Sequence, residues 1–245
     1  MCCKYLTSPV KIFLDPRLGS VHELITYSDT LVSVHEKYSN TEDYRPNAKL
    51  PVDFRELDER EVNRYTGSLD ELSLDDELNF GAVFPCDPQS DQTLDFSPFV
   101  SLSPINVLNP SVDQASSPSI TLDRVSGFKL GLHLDTWDEH DIDSRWKSRN
   151  RIVVNWGPAD RYVYLVMVPI EEMARRIGPL KDIHPCEVAD TYLARTESPI
   201  PTLRLLQRSD VAYVISTERI VHDACVCSRH NQAESRHYLG HFVKP

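Results

Sequence analysis

Phe128-Lys129-Leu130-Gly131-Leu132-His133-Leu134-Asp135 alternates apolar with other side chains, and alternation at period two marks a half-buried strand. Downstream, Arg151-Ile152-Val153-Val154-Asn155-Trp156 and residues 162–168 are rich in β-branched and aromatic types, with the turn-forming Gly157-Pro158-Ala159-Asp160 between them. That pair is predicted to be a hairpin. Residues 211–215, 219–225 and 237–243 continue the series. Thr191-Tyr192-Leu193-Ala194 reads as a weaker strand, and residues 201–208 as a short helix. Closely spaced strands with turns between them predict a β-sandwich, jelly roll or barrel over residues 121–245.

Upstream the pattern changes. Val10-Lys11-Ile12-Phe13-Leu14 reads as a strand. Leu24, Leu31 and Val34 among polar neighbours suggest helix between residues 18 and 38, and Ser68 is placed to cap a helix bearing Leu69, Leu72 and Leu74. Residues 1–84 are thus expected to be a helical or mixed support. Residues 85–120 hold Pro85, Pro88, Pro98, Pro104, Pro110 and Pro118 among many Ser and Asp. Prolines at that density exclude long helices and central strands, leaving a surface loop or a lid over a pocket. The whole chain, residues 1–245, reads as one domain of mainly β character with N-terminal helices, an α+β class.

The formal net charge of -11 argues against a nucleic-acid partner, which would need an excess of Lys and Arg for phosphate contacts. No stretch approaches the ~20 apolar residues of a membrane span. The first ten residues have no apolar core of a secretory signal, so the expected setting is cytoplasmic. Cys2-Cys3 and Cys225-Val226-Cys227 do not resemble a disulfide framework and are expected to be reduced thiols there.

His133-Leu134-Asp135 carries the chemistry. On a strand, residues i and i+2 share a face, so the imidazole and the carboxylate enter one cavity while Leu134 points away. A third ligand is expected from another strand, and His222 in Arg219-Ile220-Val221-His222-Asp223-Ala224-Cys225 is the candidate. Two His and one carboxylate on one face of a metal form the facial triad of non-haem Fe(II) oxygenases, with positions left open for other ligands.

In Gly131-Leu132-His133-Leu134-Asp135-Thr136-Trp137, Asn150-Arg151-Ile152-Val153-Val154-Asn155 and residues 215–223, the chain resembles the Fe(II)/2-oxoglutarate-dependent oxygenases. The resemblance covers roughly residues 125–245 and implies a double-stranded β-helix, or jelly-roll, core. It also implies Fe(II) held by His133, Asp135 and His222, with 2-oxoglutarate and O2 as cosubstrates and succinate and CO2 as products. The family pairs the far carboxylate of 2-oxoglutarate with a basic residue after the distal His. Arg236 is the best placed, Arg229 is closer to His222 than usual, and Arg151 opens the strand after the motif; the choice stays open. Halogenases similar to this family have Gly or Ala where Asp135 stands, so the resemblance implies hydroxylation or a related oxidation. The expected substrate is a small molecule, such as an amino acid or biosynthetic intermediate. Trp137, Trp156 and Tyr162 are candidate pocket aromatics.

Three other readings compete. His222, Cys225, Cys227 and His230 cluster in sequence as zinc ligands would, although Cys-x-Cys spacing is tight for one site. A cupin-like binding protein would keep the fold and the metal without catalysis. A hydrolase lacks support, because there is no Gly-x-Ser-x-Gly and Cys186, after His184-Pro185, stands alone.

Overall fold

The computed structural model describes residues 10–73, 80–86, 95–178, 183–196 and 198–245. Strand β1 (Lys11–Leu14) forms where the apolar run predicts it. The stretch expected to be helical yields only two single turns. These are α1 (Val21–Leu24), ahead of β2 (Ile25–Ser28) and β3 (Thr30–Ser33), and α2 (Val34–Lys37) after them. Glu23 accepts from the Ser20 backbone N–H and nucleates a turn, but the β-branched residues that follow favour strand. After β4 (Lys49–Val52), α3 (Glu59–Tyr65) starts at a reciprocal cap between Asp58 and Glu61, and β5 (Thr66–Ser68) follows. Ser68 caps a single 3-10 turn at Leu69–Glu71 rather than a helix, and Leu74 lies outside the described residues. Among the described residues the N-terminal region is therefore mixed, short strands and short helical turns in similar amounts.

Strand β6 (Phe80–Pro85) precedes the proline-rich segment. Its described part carries three short strands, β7 (Val100–Ser101), β8 (Asn106–Val107) and β9 (Ser111–Asp113), which proline punctuation keeps brief. Then come β10 (Asn150–Asn155), β11 (Arg161–Pro169), α4 (Ile170–Ile177) and α5 (Pro185–Arg195). The chain ends with β12 (Thr202–Gln207), β13 (Val211–Ile215), β14 (Ile220–Val226), β15 (Ala233–Gly240) and β16 (Phe242–Val243). Two expectations are reversed here. Thr191-Tyr192-Leu193-Ala194 lies in α5, whose buried Val188, Ala189, Tyr192 and Leu193 recur at helical spacing behind a Pro at the first turn. Residues 201–208 form strand β12, because β11 and β2 pair with it on both sides.

Two sheets dominate this α+β fold. One runs β5-β1-β6-β13-β10-β15-β8, with β9 also on β15; the other runs β14-β11-β12-β2. The predicted hairpin of β10 with β11 is not formed. Strand β10 pairs β13 and β15, whereas β11 pairs β12 and β14, so the 156–160 turn passes the chain from one sheet to the other. After it, β12 stays in the second sheet, β13 returns to the first, β14 goes to the second and β15 returns.

Side-chain parity explains the packing. Val153, Tyr213 and Ile215 from the first sheet meet Val163, Leu165, Leu203 and Ala224 from the second in one core. The opposite parity of the first sheet, Ile152, Val154 and Tyr238, packs with Phe84, Phe96 and Phe242. That of the second, Tyr164, Val166 and Val221, packs under α4 and α5. Both sheets are thus buried on both faces in their centre, which gives the site between them a rigid frame. Among the described residues no helix is long and apolar enough to cross a membrane.

Leu165 is fully buried in the core between the sheets and sits directly opposite His222 on the neighbouring strand. Leu165→Ala is expected to cost about 2–5 kcal/mol, read as a lowered urea midpoint with an unchanged m-value.

Candidate metal centre

The segment from Phe128 to Asp135 is extended but is not a regular strand. Gly131 turns it with φ of 66°, and a Cβ there would lie 2.8 Å from the Lys49 carbonyl oxygen. Beyond that turn, His133 forms an isolated antiparallel bridge with His222 of β14. The His133 N–H donates to the His222 carbonyl at 3.0 Å, and the His222 N–H donates back at 2.9 Å. This pairing sets the two rings 4.6 Å apart. Each ring donates its Nδ1–H to the carbonyl two residues before it, His133 to Gly131 at 2.8 Å and His222 to Ile220 at 3.0 Å. With that tautomer, both Nε2 lone pairs face the cavity.

Asp135 completes the set. Its carboxylate lies 3.6 Å from His133 Nε2 and 3.7 Å from His222 Nε2. The three ligand atoms fall within 4.8 Å of one another, the only such group of His, Cys, Asp or Glu among the described residues. His133 Nε2 and Asp135 Oδ2 are buried without a hydrogen-bond partner, an arrangement that suits a bound cation.

Buried charge fixes the two arms of this centre. The fully buried Arg145 donates to the carbonyls of Asp135 at 2.9 Å and Glu218 at 2.7 Å, so it ties the Asp135 segment to the turn leading into β14. Glu218 in turn accepts from the Asp138 N–H and from Ser148. On the other side Arg45 donates to the carbonyls of Leu130 and Leu132 while paired to Asp190. The Gly131 turn is thereby clamped at both ends.

The triad opens into a cavity of about 870 Å³. Arg151 of β10 shares the inward parity of Val153 and reaches the triad itself, 3.1 Å from Asp135 Oδ2 and 3.0 Å from His222 Nε2. Tyr213, His237, Asp113 and Arg161 line the same cavity. Arg161 is 2% exposed, 3.6 Å from Asp113, and its Nε and Nη1 have no partner. Neither Arg161 nor His237 was singled out from sequence. The signal was present: Arg161 shares strand parity with the core residues Val163 and Leu165.

Other sequence candidates fall elsewhere. Arg236 is opposite Val154, on the outward parity of the first sheet, and stacks 3.8 Å from the Trp156 ring. Arg236 and Trp156 therefore do not line the cavity, because one residue of parity separates Arg236 from the inward His237. Tyr162 is likewise on the outward parity of β11, under Arg204, and Arg229 is exposed. Trp137 does line the cavity, together with Leu108 to Gln114 of the proline-rich segment. The rival zinc cluster is not assembled, since His222 faces the inner core while Cys225 packs on the other face of β14 and His230 is exposed. Cys186 points its thiol at the Leu134 carbonyl, and burial raises it to about 11, which is not an activated nucleophile.

Burial pushes the Asp135 carboxyl up, but Arg151 and the two imidazoles more than reverse this and hold it well below the usual carboxylate range. Burial lowers His222 to about 3, so its ring is a neutral ligand. Burial also lowers His237 and raises Asp113, the latter opposed by Arg161. The buried charges lining the cavity thus include two pairs, Asp135 with Arg151 and Asp113 with Arg161, and a fifth group, Asp223, whose carboxyl burial raises to about 6. No protein-family model, curated protein or solved structure matches the chain.

Removing one partner of a buried ion pair strands the other. Arg145→Met is expected to cost about 3–5 kcal/mol in urea unfolding, with Glu218→Gln smaller because its hydrogen bonds survive in part. A second expectation concerns pH. The folded His222 binds a proton only near pH 3, the unfolded one near 6.5, so its contribution to stability is complete above about 6.5 and is lost as pH falls toward 3. His222→Gln should flatten that limb in urea midpoints of the metal-free protein recorded from about pH 7 down to about pH 4.

Proposed function

We propose that this protein is a non-haem Fe(II), 2-oxoglutarate-dependent oxygenase that oxidises, by hydroxylation, a small-molecule substrate. The observation that carries the reading is the convergence of His133 Nε2, His222 Nε2 and one Asp135 oxygen on one buried point. Two neutral imidazoles and a carboxylate on one face suit Fe(II) and leave positions open. The passage of the chain β10, β11–β12, β13, β14, β15 between facing sheets supports a double-stranded β-helix core. When bound, iron and 2-oxoglutarate would supply O2 activation coupled to conversion of the cosubstrate to succinate and CO2.

The protein's own groups then divide the work. The Gly131 and Ile220 carbonyls hold both imidazoles in the binding tautomer. A divalent ion would add two positive charges beside the paired Asp135, and a dicarboxylate would offset them. Arg161, a lining residue with two buried nitrogens that make no hydrogen bond, is the anchor for the far carboxylate; Arg151 is the cation beside the metal-proximal one. This replaces Arg236 and Arg229 in that role. Trp137 and residues 108–114 form the wall left for substrate.

One observation favours the cupin-like binding alternative: Arg151 is paired with Asp135 at 3.1 Å and donates to His222 Nε2 at 3.0 Å. Turnover separates the two.

Anaerobic titration with Fe(II) and 2-oxoglutarate is expected to produce a weak visible charge-transfer band, lost in His133→Ala and Asp135→Ala. Arg161→Met should weaken 2-oxoglutarate binding by about 30–100-fold, equivalent to losing one charged hydrogen-bonded contact of about 2–3 kcal/mol. Arg236→Met should leave it unchanged. A band without succinate formation in air, across candidate small molecules, would favour the binding alternative. No band in the wild type, with tight zinc retained instead, would sink the oxygenase reading.

A further inference from the structure

The face of β14 turned away from the metal centre carries a second reactive group. Cys225 is 2% exposed, and its sulfur accepts a hydrogen bond from the Tyr164 hydroxyl at 2.9 Å. Cys227, just past the strand end, is exposed, and the two sulfurs lie 3.8 Å apart. Period-two geometry puts both thiols on one side while Val226 turns to another core cluster. Nearby, Arg204 is held between the Phe54 ring at 4.3 Å and the Tyr162 ring at 4.8 Å. The hydrogen bond between the thiols is the main cause that lowers Cys227 to about 7, with Arg204 adding to it against burial. Hydrogen bonding to Cys227 and burial raise Cys225, so the proton stays on the inner sulfur. An exposed thiolate beside a buried thiol is the arrangement of an attacking and a resolving cysteine.

We propose that Cys225 and Cys227 form an oxidative modification site for hydroperoxides, with Cys227 attacking and Cys225 resolving. The Cys227 sulfur attacks the peroxide; its S–O bond forms, the O–O bond breaks, and the alcohol or water leaves with a proton. The sulfur is oxidised to a sulfenic acid by two electrons and the peroxide is reduced by two. Cys225 sulfur then attacks Cys227 sulfur, an S–S bond forms, and hydroxide departs as water with the Cys225 proton. In sum, two thiols and one hydroperoxide give one disulfide, one alcohol or water, and one water. Cys227 lies beyond the last β11–β14 pair, Arg161 with Val226, but between a residue bridged to Ser117 and one whose carbonyl accepts from Ser116, so closing the remaining gap to about 2.05 Å falls on Cys227 itself.

The test uses the full-length reduced protein, treated with one equivalent of hydrogen peroxide, alkylated and digested with trypsin. Residues 220–229 form a peptide holding both thiols and no other cysteine. It is expected to lose two hydrogens, to react about ten-fold or more faster than Cys86 and Cys186, and to recover with dithiothreitol. Cys227→Ser should abolish the reaction. Cys225→Ser should stop at a dimedone-reactive sulfenic acid on Cys227. If the pair stays reduced while Cys2, Cys3, Cys86 or Cys186 is oxidised first, or if Cys227 links only to another chain, the proposal fails. None of these outcomes depends on the metal centre.

Discussion

Two backbone hydrogen bonds between His133 and His222 hold the candidate centre together. They form an isolated bridge between the irregular 128–135 segment and β14, the edge of the second sheet, and they set the spacing of both imidazoles. Everything near them serves to keep that pairing in place. Gly131 lets the chain turn against Lys49, Arg45 holds the carbonyls on either side of the turn, and Arg145 with Glu218 joins the Asp135 arm to the β14 arm. An irregular strand so heavily braced by buried charge is an expensive arrangement for stability alone. A site that must present three ligand atoms to one point gives it a purpose.

The same strand serves two chemistries because of its parity. Even positions of β14 bring Ile220, His222 and Ala224 to the inner core, while Val221 and Cys225 pack against Tyr164 and the helices. The His222 imidazole and the Cys225 sulfur are therefore separated by the thickness of one sheet, although only three residues apart in the chain. That separation is what dissolves the zinc cluster suggested by the spacing of His222, Cys225, Cys227 and His230.

Much of the site was legible in the sequence because it depends on local geometry. The three candidate ligands could be picked out, His133 and Asp135 from their spacing and His222 from its strand run, but the 128–135 segment is irregular and owes its aim to the Gly131 turn and the bridge to His222. What was not legible depends on pairing partners. The 156–160 turn has hairpin chemistry, yet the chain crosses to the facing sheet there, because β10 and β11 each find better partners in later strands. Residues 202–207 have leucines compatible with either period, and only the neighbours β11 and β2 decide for strand. Arg236 and Arg161 show the cost of judging by distance along the chain: one position of parity turns the first out and the second in. The α5 segment was misread for a different reason, since its spacing is helical throughout and only the β-branched and aromatic types pointed elsewhere.

The position of Arg151 on two of the three ligand atoms has a thermodynamic consequence. A guanidinium there occupies part of the electrostatic role of a divalent ion. A cation entering the triad must displace it from Asp135 and His222, and the freed arginine then becomes available to an anion. The two ligands are thereby linked, and linkage is reciprocal: whatever factor the cation adds to the anion's affinity, the anion returns to the cation. Each ligand would bind the pocket more tightly once the other is in place.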